Sequence, residues 1–221
     1  MMDRCHMHAS TDTRLVRCLD GLAISFGMLE QLQQDLHMVC VSIKNNRQSL
    51  SGAFLRCWSF IDTVHRIREV GQVVPGLGSR ATELRLFLDA TDIAEKFRHY
   101  IQHLRSELSK VQGNTFPVWG SLSWVDPDDS LLTHTVLAGA QVGETRFVGC
   151  VFDTVECKWV SKVALSVNDL SFNFDPIFME CTRFRDFVIP WILAKYSPGI
   201  QLREELPVMS ARVQYVKRSG T

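Results

Sequence analysis

The sequence predicts an α+β protein: an N-terminal antiparallel helical bundle followed by a small antiparallel β-sheet with a C-terminal helix. Three observations carry that expectation. Apolar residues recur at steps of three or four from Thr13 to about Gln112, with proline only at Pro75. Beyond Gly113 the pattern changes to short segments, several alternating apolar with polar, separated by turn-forming residues. Asp175-Pro176 then opens another helical stretch. The expected division is a bundle over 1–115 and a β-rich unit over 116–221 packed on or beside it.

The first helix is expected from Thr13 to a stop near Asn45-Asn46. Leu15, Leu19, Leu22, Phe26, Leu29, Leu32, Leu36 and Val39 form its buried stripe. Ser51 is a candidate cap for a second helix that buries Leu55, Trp58, Ile61, Val64 and Ile67. Gly71–Gly78, with Pro75 inside it, is the clearest loop of this half. A third helix is expected from about Ser79 to Val111, on a stripe of Leu84, Phe87, Leu88, Ile93, Phe97, Tyr100 or Ile101, Leu104 and Leu108. Strands are expected at Trp119–Val125, Leu131–Leu137, Arg146–Phe152, Trp159–Val167 and Leu170–Phe174, arranged as a meander. The last helix should run to about Tyr196, kinked or split by Pro190 and ended by Ser197-Pro198-Gly199, with a final strand at Met209–Val216.

Composition limits the function classes. A hydrophobic content of 46% and a charged content of 22% are those of a folded chain able to bury a core. With 24 basic and 24 acidic side chains the net charge is zero, which excludes a generic electrostatic nucleic-acid binder. Any contact with nucleic acid must be local, in a cleft. The seven cysteines are scattered without CxxC spacing, which reads as buried reduced thiols in a cytosolic protein. The N-terminus has no apolar core of a secretory signal, and no apolar run approaches the ~20 residues that span a bilayer. A cytoplasmic protein without a membrane partner is the expectation.

The third helix contains Phe97-Arg98-His99-Tyr100-Ile101-Gln102-His103-Leu104. This stretch resembles the signature of the HEPN superfamily: an arginine, a polar residue (Asn, Asp or His), three residues and a histidine. Trp58–Arg68 is also similar to the second helix of bacterial HEPN-like proteins. The resemblance covers residues 13–112. It implies a helical bundle and a metal-independent RNase that dimerises so that two copies of the motif face one cleft. It further implies a toxin–antitoxin or phage-defence setting, with a possible antitoxin or inhibitor protein as partner.

The chemistry suits those residue types. Metal-free RNA cleavage needs a group that takes the 2′-hydroxyl proton, a cation for the developing phosphorane charge, and an acid for the leaving oxygen. An imidazole titrates near neutral pH, which makes His103 the natural proton-transfer residue. Arg98, permanently charged and able to bond bidentately, is the natural phosphate clamp. His99 would orient Arg98 or the phosphate, in a position where the family most often has Asn. The expected products are a 2′,3′-cyclic phosphate and a 5′-hydroxyl. Asp62 and His65 on the second helix and Gln102 within the motif are the candidate substrate contacts. The alternative is a HEPN-like bundle without catalysis that binds proteins, with the β half as docking surface.

Other constellations have plainer readings. His99 and His103 at i and i+4 could chelate an ion, with Glu95 or His65 nearby, but no cysteine or carboxylate cluster accompanies them. No metal and no cofactor are therefore expected. Glu95 reads as a surface partner of Arg98 or His99, and Asp62–Arg66 as an i,i+4 pair. Cys5, His6 and His8 read as a frayed tail. Trp119 and Trp124 either stack on bases or fill the core of the first strand.

Overall fold

The computed structural model describes residues 5–43, 49–78, 81–110, 116–140 and 148–196. Its order is α1 (Cys5–Ile43), α2 (Ser49–Val73), α3 (Thr82–Ala90), α4 (Asp92–Gln102), α5 (Leu104–Ser109), β1 (Ser121–Val125), β2 (Thr133–Leu137), β3 (Phe152–Asp153), β4 (Lys158–Trp159), β5 (Val163–Val167), β6 (Leu170–Asn173) and α6 (Phe174–Tyr196). The class is the expected one, helices first and then a small antiparallel sheet with a C-terminal helix.

The stripe of α1 is buried as its spacing predicts: Leu15, Leu19, Leu22, Phe26, Leu29 and Leu36 lie in the core, with Leu32 and Val39 at its edge. This helix starts at Cys5 rather than Thr13, so the expected frayed end is helical from there. It ends at Ile43, and Asn45-Asn46 fall outside the described residues. α2 starts at Ser49, which places Ser51 inside the helix instead of at its cap. Of its expected buried face, Ile61, Val64 and Ile67 are buried and Trp58 is half-buried, and only Leu55 departs. Ala53, Phe54, Cys57, Phe60, Ile61, Val64 and Ile67 point inward, while Leu55 is 66% exposed. Phe54 and Phe60 bury more apolar surface than Leu55 would, and the helix settles on their phase.

The single third helix of the sequence reading is three helices. Thr91 (φ −104°, ψ 11°) separates α3 from α4, and His103 (φ −104°, ψ 17°) separates α4 from α5. At the first junction Thr91 is buried, and its hydroxyl donates to Phe87 O at 2.6 Å. A threonine hydroxyl bonded back to the preceding turn competes with the ladder and bends a helix. Leu84, Phe87, Phe97 and Tyr100 are buried; Leu108 is exposed.

The sheet order is β2-β1-β5-β6, all antiparallel, with β3 and β4 forming a separate hairpin. The expected meander is thus interrupted: the stretch at Trp159–Val167 is divided between β4 and β5, and β5 returns to pair with β1. Of the expected strand at Arg146–Phe152, only Phe152 is in β3, and part of it lies outside the described residues. Leu122, Trp124, Val163, Leu165 and Phe172 join the helical core. Ser121, Ser123 and Ser166 are buried at the alternate positions, where Ser123 bonds Thr135 at 2.8 Å. Gly120 precedes β1 at φ +95°, and a Cβ there would collide with Ser166 O. Gly120→Ala should cost at least about 2 kcal/mol, from left-handed backbone and a clash with the β5 main chain. Urea denaturation measures it, and an unchanged midpoint would contradict this account.

α6 begins at Phe174, one residue before the expected Asp175-Pro176 start and at the expected end of the last strand, and Asp175 fixes its position by accepting from Gln33 of α1 (2.8 Å) and from the Lys162 backbone (2.6 Å). Pro190 is inside the helix, which is not split. Phe184, Val188 and Ile192 bury against α1 and α3, with Phe184 stacked on Phe87 at 4.3 Å. One apolar core therefore runs through both halves of the chain. Met209–Val216 and Ser197-Pro198-Gly199 lie outside the described residues. No helix among those described is long and apolar enough to cross a membrane.

Candidate functional site

α2 and α4 run antiparallel and are joined by a ladder of polar contacts. Arg98 Nη1 donates to Asp62 Oδ1 at 2.7 Å. Three residues along α2 and three back along α4, His65 Nδ1 meets Glu95 Oε1 at 2.9 Å. Arg68 Nε donates to the same oxygen at 3.0 Å, and its Nη1 reaches Leu88 O at 2.5 Å and Thr91 Oγ1 at 2.6 Å. A step of three keeps residues on one helix face, so side chains with this spacing can meet across the pair. The Asp62–Arg66 pair is present at 2.6 Å, and Asp62 thus serves two guanidinium groups. Glu95 does not pair with Arg98 or His99 as expected; Arg68 and His65 across the helix interface hold it.

Arg68 is the residue that the sequence reading missed. It is 7% exposed although charged. The signal was available: Arg68 lies on the buried stripe four residues after Val64, a place where an unpaired charge would be costly. Burial works against the Glu95 carboxylate, but hydrogen bonds from Arg68 and His65, and their charge, outweigh it and hold its pKa below the usual value of 4.5. A carboxyl group whose pKa is lower when folded contributes stability above its unfolded pKa and loses it as pH falls through the folded one. Glu95→Gln should therefore cost about 1–2 kcal/mol at pH 7, with solvent screening discounted, and the difference from wild type should shrink as pH drops below about 4.5. Urea titrations between pH 3 and 7 test this; a difference independent of pH would contradict it.

Arg98 also lines a cavity of about 280 Å³ with Trp58, Asp62, Phe97, Ile101 and Trp119. Trp119 is 47% exposed and meets Trp58 edge-on at 6.3 Å, whereas Trp124 is in the core. Of the two tryptophans, only Trp119 has a face open to a ligand. Tyr100 Oη donates to Val118 O at 2.8 Å, which anchors the segment bearing Trp119 to α4.

The motif residues separate around α4. Arg98 is turned toward α2, while His99 lines a second depression with Glu95, Lys96, Glu107 and Asn168. His99 and His103 are exposed, their rings 4.3 Å apart. At ~100° per residue, Gln102 falls between Arg98 and His99 on the outer face, and it is exposed. One chain therefore presents Arg98, Gln102 and the two histidines along an open surface, and does not converge them on one point.

The thiols offer no competing nucleophile in the core. Burial pushes the Cys40 and Cys150 thiols up to about 12 and raises those of Cys57 and Cys181 well above the ordinary thiol value. No protein-family model, curated protein or solved structure matches the chain.

Proposed function

We propose that this protein is a metal-independent RNA endonuclease of the HEPN type, acting as a homodimer with a composite cleft. The observation that supports it best is the outer face of α4. There Arg98 stands beside the half-exposed Trp119, with Gln102, His99 and His103 continuing along the solvent-facing surface. Arg98 clamps the scissile phosphate, His103 transfers the proton, and His99 orients the phosphate. Asp62 holds the Arg98 guanidinium in place; His65, its neighbour in the ladder, secures α4 through Glu95. Because Arg98 and His103 point to different flanks of one helix, the site is completed by a second copy lying across the face. A role as toxin or phage-defence effector, restrained by an inhibitor protein, belongs to the same reading.

A second reading, a HEPN-like bundle that binds proteins without cutting RNA, draws on two features. Asp62 already neutralises Arg98, and swinging the guanidinium onto a phosphate sacrifices that pair. The β half exposes Leu131, Val151, Phe152 and Val155, apolar groups of the kind that partners cover. Incubation of RNA with wild type beside His103→Ala, with product ends identified, decides between the two. Cyclic phosphate and 5′-hydroxyl ends from wild type alone support the nuclease. Intact RNA in both samples, with the protein dimeric and folded, leaves the binding module.

A further inference from the structure

We propose that His65 and Glu69 of α2 and Glu95 of α4 bind one Zn²⁺ ion that fastens the two helices together. In the sequence the paired imidazoles are His99 and His103, with Glu95 or His65 nearby and no cysteine or carboxylate cluster, and no metal is expected of them. Among the described residues neither imidazole joins a group of three ligands, but folding assembles a different set one turn away. His65, Glu69 and Glu95 bring one ligand atom each to within 4.8 Å of one another.

The geometry and chemistry fit a single ion. His65 and Glu69 are at i and i+4 on one face of α2, the spacing by which two side chains of a helix chelate. Glu95 closes the set from the facing helix: its Oε1 accepts from His65 Nδ1 at 2.9 Å, a bond that gives way to the ion as the imidazole proton moves to Nε2 and frees the Nδ1 lone pair. Donors bound to one zinc at ~2.0–2.2 Å stand roughly 3–4 Å apart, so a small turn of the exposed Glu69 completes the site. Both bonds made to Glu95 in the ladder, from His65 and from Arg68, use Oε1, and neither involves Oε2. Arg68 is anchored independently on Leu88 O and Thr91 Oγ1, so it can remain as a support that orients the Glu95 carboxylate when an ion enters. With Glu69 and Glu95 negative and Arg68 positive, the set with a neutral imidazole carries an excess of one negative charge to set against the cation.

The donor types select the metal. One imidazole nitrogen with two carboxylates is the borderline set that suits zinc, while Mg²⁺ and Ca²⁺ take oxygen ligands throughout. Three protein ligands leave a fourth tetrahedral position to water. The site is one helical turn from Arg98 and from Asp62, so the ion stiffens the pair of helices that presents Arg98 and takes no part in chemistry at His103.

The test uses the full chain, stripped with chelator and then titrated with ZnCl₂ by calorimetry. Wild type should bind one equivalent that Glu69→Gln weakens at least tenfold, with excess zinc raising Tm by roughly 4 °C in wild type and not in the variant. Glu69 is exposed, so Glu69→Gln should fold normally, and circular dichroism checks this. His65→Ala should weaken binding likewise, and MgCl₂ should not compete. A combined Cys5→Ser, His6→Ala, His8→Ala variant must retain the equivalent, which separates this site from the N-terminal thiol and imidazoles. Undiminished binding by Glu69→Gln, loss only in the N-terminal variant, or no binding by wild type would each overturn the proposal. None of these readouts involves RNA, so the nuclease reading stands or falls separately.

Discussion

His103→Ala is expected to reduce RNA cleavage by roughly 10²–10⁴-fold, the usual contribution of a proton-transfer group. Stability should hardly change, because His103 is exposed at the turn between α4 and α5 and its main chain makes the structural bonds. Its N–H reaches His99 O at 3.0 Å and its carbonyl receives Ser106 N at 2.8 Å. Arg98→Ala should lower cleavage by about 10²–10³-fold, as when one group that stabilises the transition-state charge is removed. It also breaks an ion pair, but Asp62 retains Arg66 at 2.6 Å, and the cost of such part-exposed pairs is about 1 kcal/mol or less. Arg98→Lys is the sharper variant: it keeps the charge, loses the planar fork, and should recover little activity. Initial rates on a labelled RNA, beside thermal melts, give both numbers. Wild-type rates in either alanine variant would remove that residue from the mechanism.

Phe172→Ala should cost about 4 kcal/mol, the largest stability effect expected from one substitution here. Phe172 on β6 is fully buried and meets Phe60 of α2 at 6.1 Å, Phe97 of α4 at 5.6 Å and Phe174 at 4.9 Å. These rings are where the sheet meets the two helices of the polar ladder. Truncation there leaves a hole bounded by three separate elements, which cannot all move in to fill it. The denaturant midpoint should fall with the slope unchanged, since the surface exposed on unfolding is nearly the same. A loss below about 1 kcal/mol would mean that the rings do not carry the junction between the two halves.

Local rules read the local features well. The α1 stripe, the Asp175-Pro176 start and the strands at β1 and β2 follow from spacing and turn residues alone. In α2 the spacing identifies Ile61, Val64 and Ile67 as buried but takes Leu55 in place of its neighbour Phe54, because either residue satisfies a three-or-four rule. The break at Thr91 was hidden, since the same hydroxyl bond to the preceding turn leaves α2 unbroken at Thr63 and α6 unbroken at Thr182, and only at Thr91 does the buried hydroxyl also receive Arg68. Distant pairings were beyond reach. β5 returning to β1, and Arg98 choosing Asp62, join residues far apart in the chain, and one sequence offers no means of ranking such partners. The candidate site is legible as a set of residue types on one stretch of sequence. That Arg98 and His103 diverge around their helix was legible too, from the 100° turn, while the Arg68–Glu95–His65 contacts were not.

The return of α6 to the first helix has a consequence for how the chain is born. Phe184, Val188 and Ile192 join a core whose first members, Leu15 to Leu36 on α1, are made much earlier, and Arg185 reaches back to Glu30 on α1. During synthesis from the ribosome the early helices leave the exit tunnel with an apolar flank that nothing yet covers. Closure waits until α6 itself has emerged, more than a hundred residues after the helix it covers, which sets completion of this core late in the order of synthesis.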